Sequence, residues 1–431
     1  MLDIQFIRDN PELVQQKSRQ KGYEVEITEL LRVDTERRHL LADLEAVRAE
    51  RNRLNETIKH GKPSLEQIEH GKNLKTQLSG LETRLKPLDE HYLTLLKAVP
   101  NMPLDDVPVG TTEEENKIVK TIGEKSEFDF TPKHDYELGV QADLIDKERA
   151  AKIAGARFVY LKGGLVRLQL AIMQFVMQAL GDEQIIKKIV EDNNLQVSTK
   201  PFTPILPPAM LRTEPYEASA RLNAEEVTYK LADDDLWLNA SAEHTLCTMY
   251  WNEILPEEIF PIRYIGYSTS FRREAGSYGK DMEGIFRLHQ FDKLEIESFT
   301  TPETGLEEHK LHIAIQEYLM QQLQLPYQLI QKCTADIGKP NAAGVDINAW
   351  FPGQGAYRET HTADYMADYQ SRDLKIRVRR KNGRLELVHT ADATGFALGR
   401  TLKALMENYQ TADGTIRVPA VLVPFIGKDT L

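Results

Sequence analysis

The sequence predicts an α+β protein, an antiparallel-sheet domain preceded by a long antiparallel helical hairpin. Three observations lead there. Two heptad-patterned stretches flank a Gly-Pro break in the N-terminal quarter of the chain. Beyond them, strand-like runs mix with only a few helical windows. The 431 residues also suffice for two or three domains at roughly 150 residues each.

Composition narrows the function classes. Lys+Arg 54 against Asp+Glu 66 gives a net charge of −12, so this is no basic nucleic-acid coat, and any nucleic-acid contact must be local. A hydrophobic share of 41% with 28% charged residues is that of an ordinary globular protein. No apolar run approaches the ~18 residues of a membrane span. The start, MLDIQFIRDNPELV, mixes charged with apolar residues and lacks the apolar core of a secretory signal. With only Cys247 and Cys333 there is no disulfide framework, and a reducing cytoplasm is the expected compartment.

Leu30, Val33, Arg37, Leu40, Leu44, Val47, Arg51, Leu54 and Ile58 step by threes and fours, a coiled-coil seam with two polar interruptions. After His60-Gly61-Lys62-Pro63-Ser64 the step returns at Leu74, Leu78, Leu81, Leu85, Leu88, Tyr92 and Leu95, which predicts a hairpin. Gly80 and Pro87 fall off the seam, where a kink is tolerated. Each helix would reach about 40 Å at 1.5 Å per residue. Residues 30–97 carry 13 Lys+Arg and 11 Asp+Glu, so the arm is the least acidic part of an acidic chain. Periodicity fits a dimerisation rod and a nucleic-acid arm equally well. Pro100-Asn101-Met102-Pro103 ends this region, and the polar, aromatic-poor stretch after it reads as a linker. Strands are then expected at 157–161, 262–268, 285–297, 375–378 and 385–389, and helices at 165–180, 303–323 and 399–409.

No GxxxxGK[ST] loop and no strand-GxGxxG-helix unit exists, and the cysteines lack histidines at zinc-ligand spacing. A phosphate-handling site would therefore rely on arginines carried by strands. Phe271-Arg272-Arg273-Glu274 and Arg287-Leu288-His289-Gln290-Phe291-Asp292-Lys293-Leu294-Glu295 read as a strand, a loop turned by Gly276, Gly279 and Gly284, and a returning strand. Alternation puts Arg287, His289, Phe291, Lys293 and Glu295 on one face. That mixture suits a phosphate, an aromatic base and an ammonium, although a charged sheet surface would look the same. Residues 389–401 lead into a helix that begins near Arg400, where an anion is favoured.

Taken together, FRREAGS…HQFDK and GRTLKALMENYQ resemble motifs 2 and 3 of class II aminoacyl-tRNA synthetases, and specifically of the seryl-tRNA synthetase family. The N-terminal segment, the hairpin, PNMP and FVYLKGGLVRLQLAI resemble that family as well, so the likeness covers nearly the whole chain. It implies an N-terminal tRNA-binding domain at 1–99, a linker at 100–134 and a class II catalytic domain at 135–431. The arm, about 30–97, would reach across a homodimer to the long variable arm of tRNA(Ser). Motif 1, around 165–208, would form the subunit contact.

Residue by residue, the resemblance gives Arg272 to the ATP α-phosphate, Glu274 to the adenine amino group, Phe291 to stacking on adenine, and Arg287 to a second phosphate contact. Arg400 falls to the γ-phosphate, and Arg272 and Arg400 become the catalytic pair. Arg273, Thr360, His361 and Thr362 belong to the same ATP-binding segments, with Glu359 as the Mg²⁺ ligand. Ser241-Ala242-Glu243 stands where the family has Thr-Ala-Glu and would bind serine together with Glu295 and Thr394. Two places depart from the family pattern: Glu359-Thr360-His361-Thr362 for Glu-Ile-Ser-Ser, and Asp392-Ala393-Thr394-Gly395 for Asn-Gly-Ser-Gly. The implied activity is ATP-dependent activation of L-serine and transfer to tRNA(Ser), with tRNA(Sec) left open as a second acceptor and no membrane partner. Two other readings stay open. One is a synthetase-like ligase that loads a carrier protein, whose relatives lack the arm. The other is an inactive RNA-binding paralogue, which would not need Arg272, Glu274, Glu359 and Arg400.

Overall fold

Heptad leucines close the first of two compact units, Met1–Met102 and Pro103–Leu431. The computed structural model describes residues 1–59, 61–222, 227–274 and 284–431. His60 of the expected break, and Gly276 and Gly279 of the expected turn, lie outside the described residues. Helices α1 (Ile27–Ile58) and α2 (Leu65–Ala98) form the hairpin. Leu40 and Leu44 pack on Leu78 and Leu85, flanked by Leu41, Val47, Leu81 and Leu88. Arg37 interrupts the seam without cost to it, because its Nε donates to Asp89 at 2.5 Å and its guanidinium lies 4.7 Å from the Tyr92 ring. Ser64 starts α2 with a capping box to Gln67. Pro87 stays within the helix on its exposed side. Near the base, Leu96 is buried where Leu95 was expected, since 3.6 residues per turn drift against a strict heptad.

The second unit is built on eight strands: β1 (Lys117–Ile122), β2 (Thr203–Ile205), β3 (Ile262–Phe271), β4 (Gln290–Thr300), β5 (Tyr327–Gln331), β6 (Ala343–Phe351), β7 (Ala356–Ala367) and β8 (His389–Ala397). Their order is β1-β5-β6-β7-β8-β4-β3-β2, antiparallel except for β2 beside β3. The stretch expected to be a linker supplies the edge strand β1. Its residues are nearly all exposed, so no period-2 pattern marked it. The expected strands at 375–378 and 385–389 fall mainly in a separate small sheet, Arg377–Arg379 with Leu385–Leu387 and Ile254–Pro256.

Three helices matter for the site: α3 (Gly163–Leu180), α4 (Gly305–Gln322) and α5 (Leu398–Asn408). Among the described residues only α3, expected at 165–180, is long and apolar enough by length and composition to cross a membrane, and Arg167, Gln169, Gln174 and Gln178 interrupt its apolar run. Its Leu165, Leu168, Ile172 and Val176 are buried in the core. One sheet face, with Leu294, Ile296, Ala363, Ala393 and Ile347, packs against Leu311, Ile315 and Leu319 of α4. Gln316 of the same helix donates to the carbonyls of Thr362 and Thr394, at 2.7 and 3.0 Å. These carbonyls lie close to register shifts at Ile347/Asn348 and Thr394/Phe396, where the ladder is irregular and needs another donor. The other face carries the polar residues.

Candidate active site

Strand alternation assembles that polar face. Lys293, Glu295 and Glu297 alternate along β4; Thr394 pairs across to Glu295, Asp392 to Glu297, and Asp364 of β7 to Asp392. A cleft of about 150 Å³ opens over it, lined by Arg272, Glu274, Arg287, Phe291, Glu359 and Arg400 at one end and by Glu243, Lys293 and Thr394 at the other.

Arg272 lies just past the end of β3. Its Nε donates to the Ala240 carbonyl at 2.9 Å, and its guanidinium stands 5.3 Å from the Phe291 ring. Arg287 precedes β4 instead of lying on it, yet reaches the cleft and donates to Glu274 at 2.8 Å. Its neighbour Phe286 is seated by a buried network. Asp135 accepts the Ile285 backbone N–H at 2.9 Å and also pairs with Lys403 of α5, which donates to Glu407 at 2.6 Å. Gly284 has φ 75°, and a Cβ there would meet the Asp135 carboxylate at 2.4 Å, so the return of the loop needs glycine. Arg400 stacks 4.7 Å from the Phe286 ring and donates to the Glu359 carboxylate at 2.8 Å. Glu359 keeps half of its side chain exposed; what desolvation it meets favours the neutral acid, but Arg400 and Lys332 outweigh this and hold its pKa down at about 2.

At the other end, Ser241 precedes the short helix Ala242–Leu246 and donates to Glu243 at 3.0 Å and to Glu295 at 3.3 Å. Lys293 sits 2.5 Å from Glu295 and 3.4 Å from Glu243. Burial pushes Glu295 well above the usual carboxylate range, even with Lys293 against it. At Glu243 burial acts the same way, but Lys293 and Arg221 prevail and hold it well below.

Not every expected residue lines the cleft. Arg273 is exposed, 5.7 Å from the Tyr229 ring. His361 is buried on the opposite side of β7, bonded to Thr360 at 2.8 Å and edge-on to Phe396, and burial pushes its pKa down to about 3. Ala242 is buried within its helix. Thr360 and Thr362 do line it: the Thr360 hydroxyl donates to the Ile347 carbonyl at 3.1 Å, whereas the Thr362 hydroxyl has no partner among the described residues. Arg221 and Glu297 were not expected, and Asp392 was named only within the departure at 392–395. The last two follow from alternation with Thr394 and Glu295, but Arg221 comes from a loop without a periodic signal.

An antiparallel sheet that presents arginines, carboxylates and two phenylalanine rings around a single cleft is the catalytic core of a class II aminoacyl-tRNA synthetase. Residues 227–409 match the family model described as tRNA synthetase class II core domain (G, H, P, S and T), and residues 1–103 match the seryl-tRNA synthetase N-terminal domain. The serine–tRNA ligase of Thermodesulfovibrio yellowstonii is 36% identical over 440 residues, covering 100% of both chains. The crystal structure of seryl-tRNA synthetase from Pyrococcus horikoshii complexed with ATP is 35% identical with a TM-score of 0.86, covering 100% of this chain and 99% of that one. The cytoplasmic serine–tRNA ligase of Naegleria fowleri in complex with AMP is 25% identical, covers 100% and 98% of the two chains, and gives a TM-score of 0.83. The chain belongs to the seryl-tRNA synthetase family.

Proposed function

We propose that this protein is a serine–tRNA ligase: serine and ATP give seryl-adenylate and pyrophosphate, and the seryl group then passes to the terminal ribose hydroxyl of tRNA(Ser). The observation that carries the reading is the single cleft with a cationic and aromatic end at Arg272, Phe291 and Arg400 and, at its other end, Glu243 and Lys293, the latter paired with the buried Glu295. One end suits a nucleoside triphosphate, the other an amino acid's ammonium.

No protein nucleophile is needed. The serine carboxylate attacks the α-phosphorus, and the side chains position the reactants and neutralise charge that develops in the transition state. Arg272 serves the α-phosphate and Arg287 a second phosphate contact, while Glu274 reads the adenine amino group and Phe291 stacks on the base. Arg400 holds the γ-phosphate, keeping the triphosphate bent so that pyrophosphate leaves in line. Ser241, Glu243, Glu295 and Thr394 hold serine. Glu359 and the unpartnered hydroxyl of Thr362 form an all-oxygen donor pair that fits Mg²⁺. Bound there, the ion would supply further neutralisation of phosphate charge.

The arm at about 30–97 would grip the long variable arm of tRNA(Ser) from the partner of a cytoplasmic homodimer, with 135–431 as the catalytic part. Pyrophosphate exchange into ATP across a panel of amino acids, followed by charging of tRNA(Ser) and tRNA(Sec), tests the reading. Serine-dependent exchange with charging of tRNA(Ser) is expected. Exchange with another amino acid but not serine would overturn it.

A further inference from the structure

Arg272 is anchored twice, and the side chains behind one of the anchors have no part in the roles above. Its backbone N–H donates to the His289 carbonyl at 2.9 Å, and its Nε donates to the Ala240 carbonyl at 2.9 Å. Ala240 is buried, and its own N–H donates to Nδ1 of His244 at 3.3 Å. His244 sits four positions on, in the short helix Ala242–Leu246. The same nitrogen lies 2.6 Å from the hydroxyl of Tyr216, whose ring centroid is 5.0 Å from the imidazole. Tyr216 is fully buried and packs with Leu211 and Trp237.

The proton positions follow from the bonds. A ring nitrogen that accepts a backbone N–H carries no hydrogen, so the Tyr216 hydroxyl is a second donor to Nδ1 and the imidazole proton sits on Nε2. Burial keeps both groups neutral, pushing the His244 pKa down and the Tyr216 pKa up. Nε2 lies 3.5 Å from Glu243 Oε1. The imidazole thus turns its acceptor toward the residue that holds Arg272 and its donor toward an acid at the other end of the cleft. A histidine and a tyrosine that only filled space here would carry a desolvation cost that leucine and phenylalanine avoid. What the polar atoms add is a fixed Ala240, and through it a fixed Arg272 side chain.

We propose that His244 and Tyr216 are positioning residues for the α-phosphate arginine: the Tyr216 hydroxyl and the Ala240 N–H converge on His244 Nδ1, and Ala240, held there, keeps its carbonyl on Arg272 Nε while the Nη groups meet the phosphate. The inference rests on the role given to Arg272 in the proposed function. It is tested by pyrophosphate exchange with the amino acid that the wild-type protein activates. His244→Leu should lower kcat roughly ten-fold with KM for ATP within about three-fold, and Tyr216→Phe should lower kcat roughly three-fold. His244→Asn, whose amide oxygen can stand where Nδ1 stood, should recover part of the loss. The deciding measurement repeats His244→Leu in the Arg272→Ala background, where it should cost less than about two-fold, because the group it positions is gone. A ten-fold loss in both backgrounds would overturn the proposal. If His244→Leu does not fold, Tyr216→Phe carries the same comparison, and an equal loss with and without Arg272 overturns it. Exchange with another amino acid and not with serine would overturn the serine reading alone. Near-normal exchange in Arg272→Ala would overturn the role of that arginine and this inference with it.

Discussion

Removing Arg272 tests whether the cleft works by neutralising charge at the α-phosphate. One donor of its guanidinium is already committed, since Nε holds the Ala240 carbonyl at 2.9 Å. In the proposed arrangement the Nη groups therefore make the phosphate contact, as two charge-assisted bonds of roughly 1.5–3 kcal/mol each. Only the part that strengthens in the transition state appears in the rate, which leaves about 3 kcal/mol, or roughly two orders of magnitude in kcat for Arg272→Ala. Arg272→Lys should recover little, because an ammonium cannot span Ala240 and two phosphate oxygens at once. The Ala240 carbonyl, in a residue 2% exposed, loses its donor in either variant and costs about 1 kcal/mol of stability, which denaturant midpoints would register separately from the rate. The assay is serine-dependent pyrophosphate exchange at saturating substrates. Exchange within about three-fold of wild type in both variants would refute the reasoning.

Three further outcomes are expected. Deleting 30–97 and joining the flanks with a short linker should leave seryl-adenylate formation largely intact, since the sheet unit has its own core, while transfer to tRNA collapses; loss of adenylation in a folded variant would count against the division. Thr394 is 2% exposed on the cleft, and Thr394→Ser should raise threonine misactivation roughly ten-fold with serine activation kept, as one methyl in a pocket implies; unchanged selectivity would show that the methyl points elsewhere. His361 is held neutral with a pKa near 3, below its unfolded value, so the unfolded chain binds the proton first. Its contribution to stability is complete above about pH 6.5 and is lost as pH falls toward 3, by at most about 1.4 kcal/mol per pH unit; urea midpoints against pH should show a flatter acid limb in His361→Gln.

The hairpin was legible because its seam residues are apolar except at Arg37, which is paired across it, and at Arg51, which is exposed. Arg272, Phe291 and Arg400 were legible as parts of spaced motifs, and the structure brings them to one cleft. Strands β5, β6 and β7 were not read from the sequence. β6 alternates Val345, Ile347 and Ala349 with Gly344, Asp346 and Asn348. That period went unread in β6, whereas in β7 Thr360 and His361 are both buried at an irregularity, so there the polar residues blur the period that would reveal the strand. His361 was placed with the ATP-binding segments by resemblance alone, and the extra residue at the shift moves its side chain across the sheet. Arg221 lay beyond pattern reading altogether, because its partner Asp392 is 171 positions away in the chain.

The cleft pairs its own recognition groups: Arg287 with Glu274, Arg400 with Glu359, Lys293 with Glu295. Folding has already taken Lys293 and Glu295 out of water, whereas Glu359 keeps half of its side chain exposed, and a substrate enters by exchanging partners. The exchange balances only for a ligand set that brings both signs. A lone phosphate arriving at Arg400 strands the Glu359 carboxylate, and a lone amine arriving at Glu295 strands the Lys293 ammonium. Under the proposed function each internal pair would disfavour fragments of the substrates, whereas a metal-bound triphosphate together with a zwitterionic amino acid would satisfy both halves.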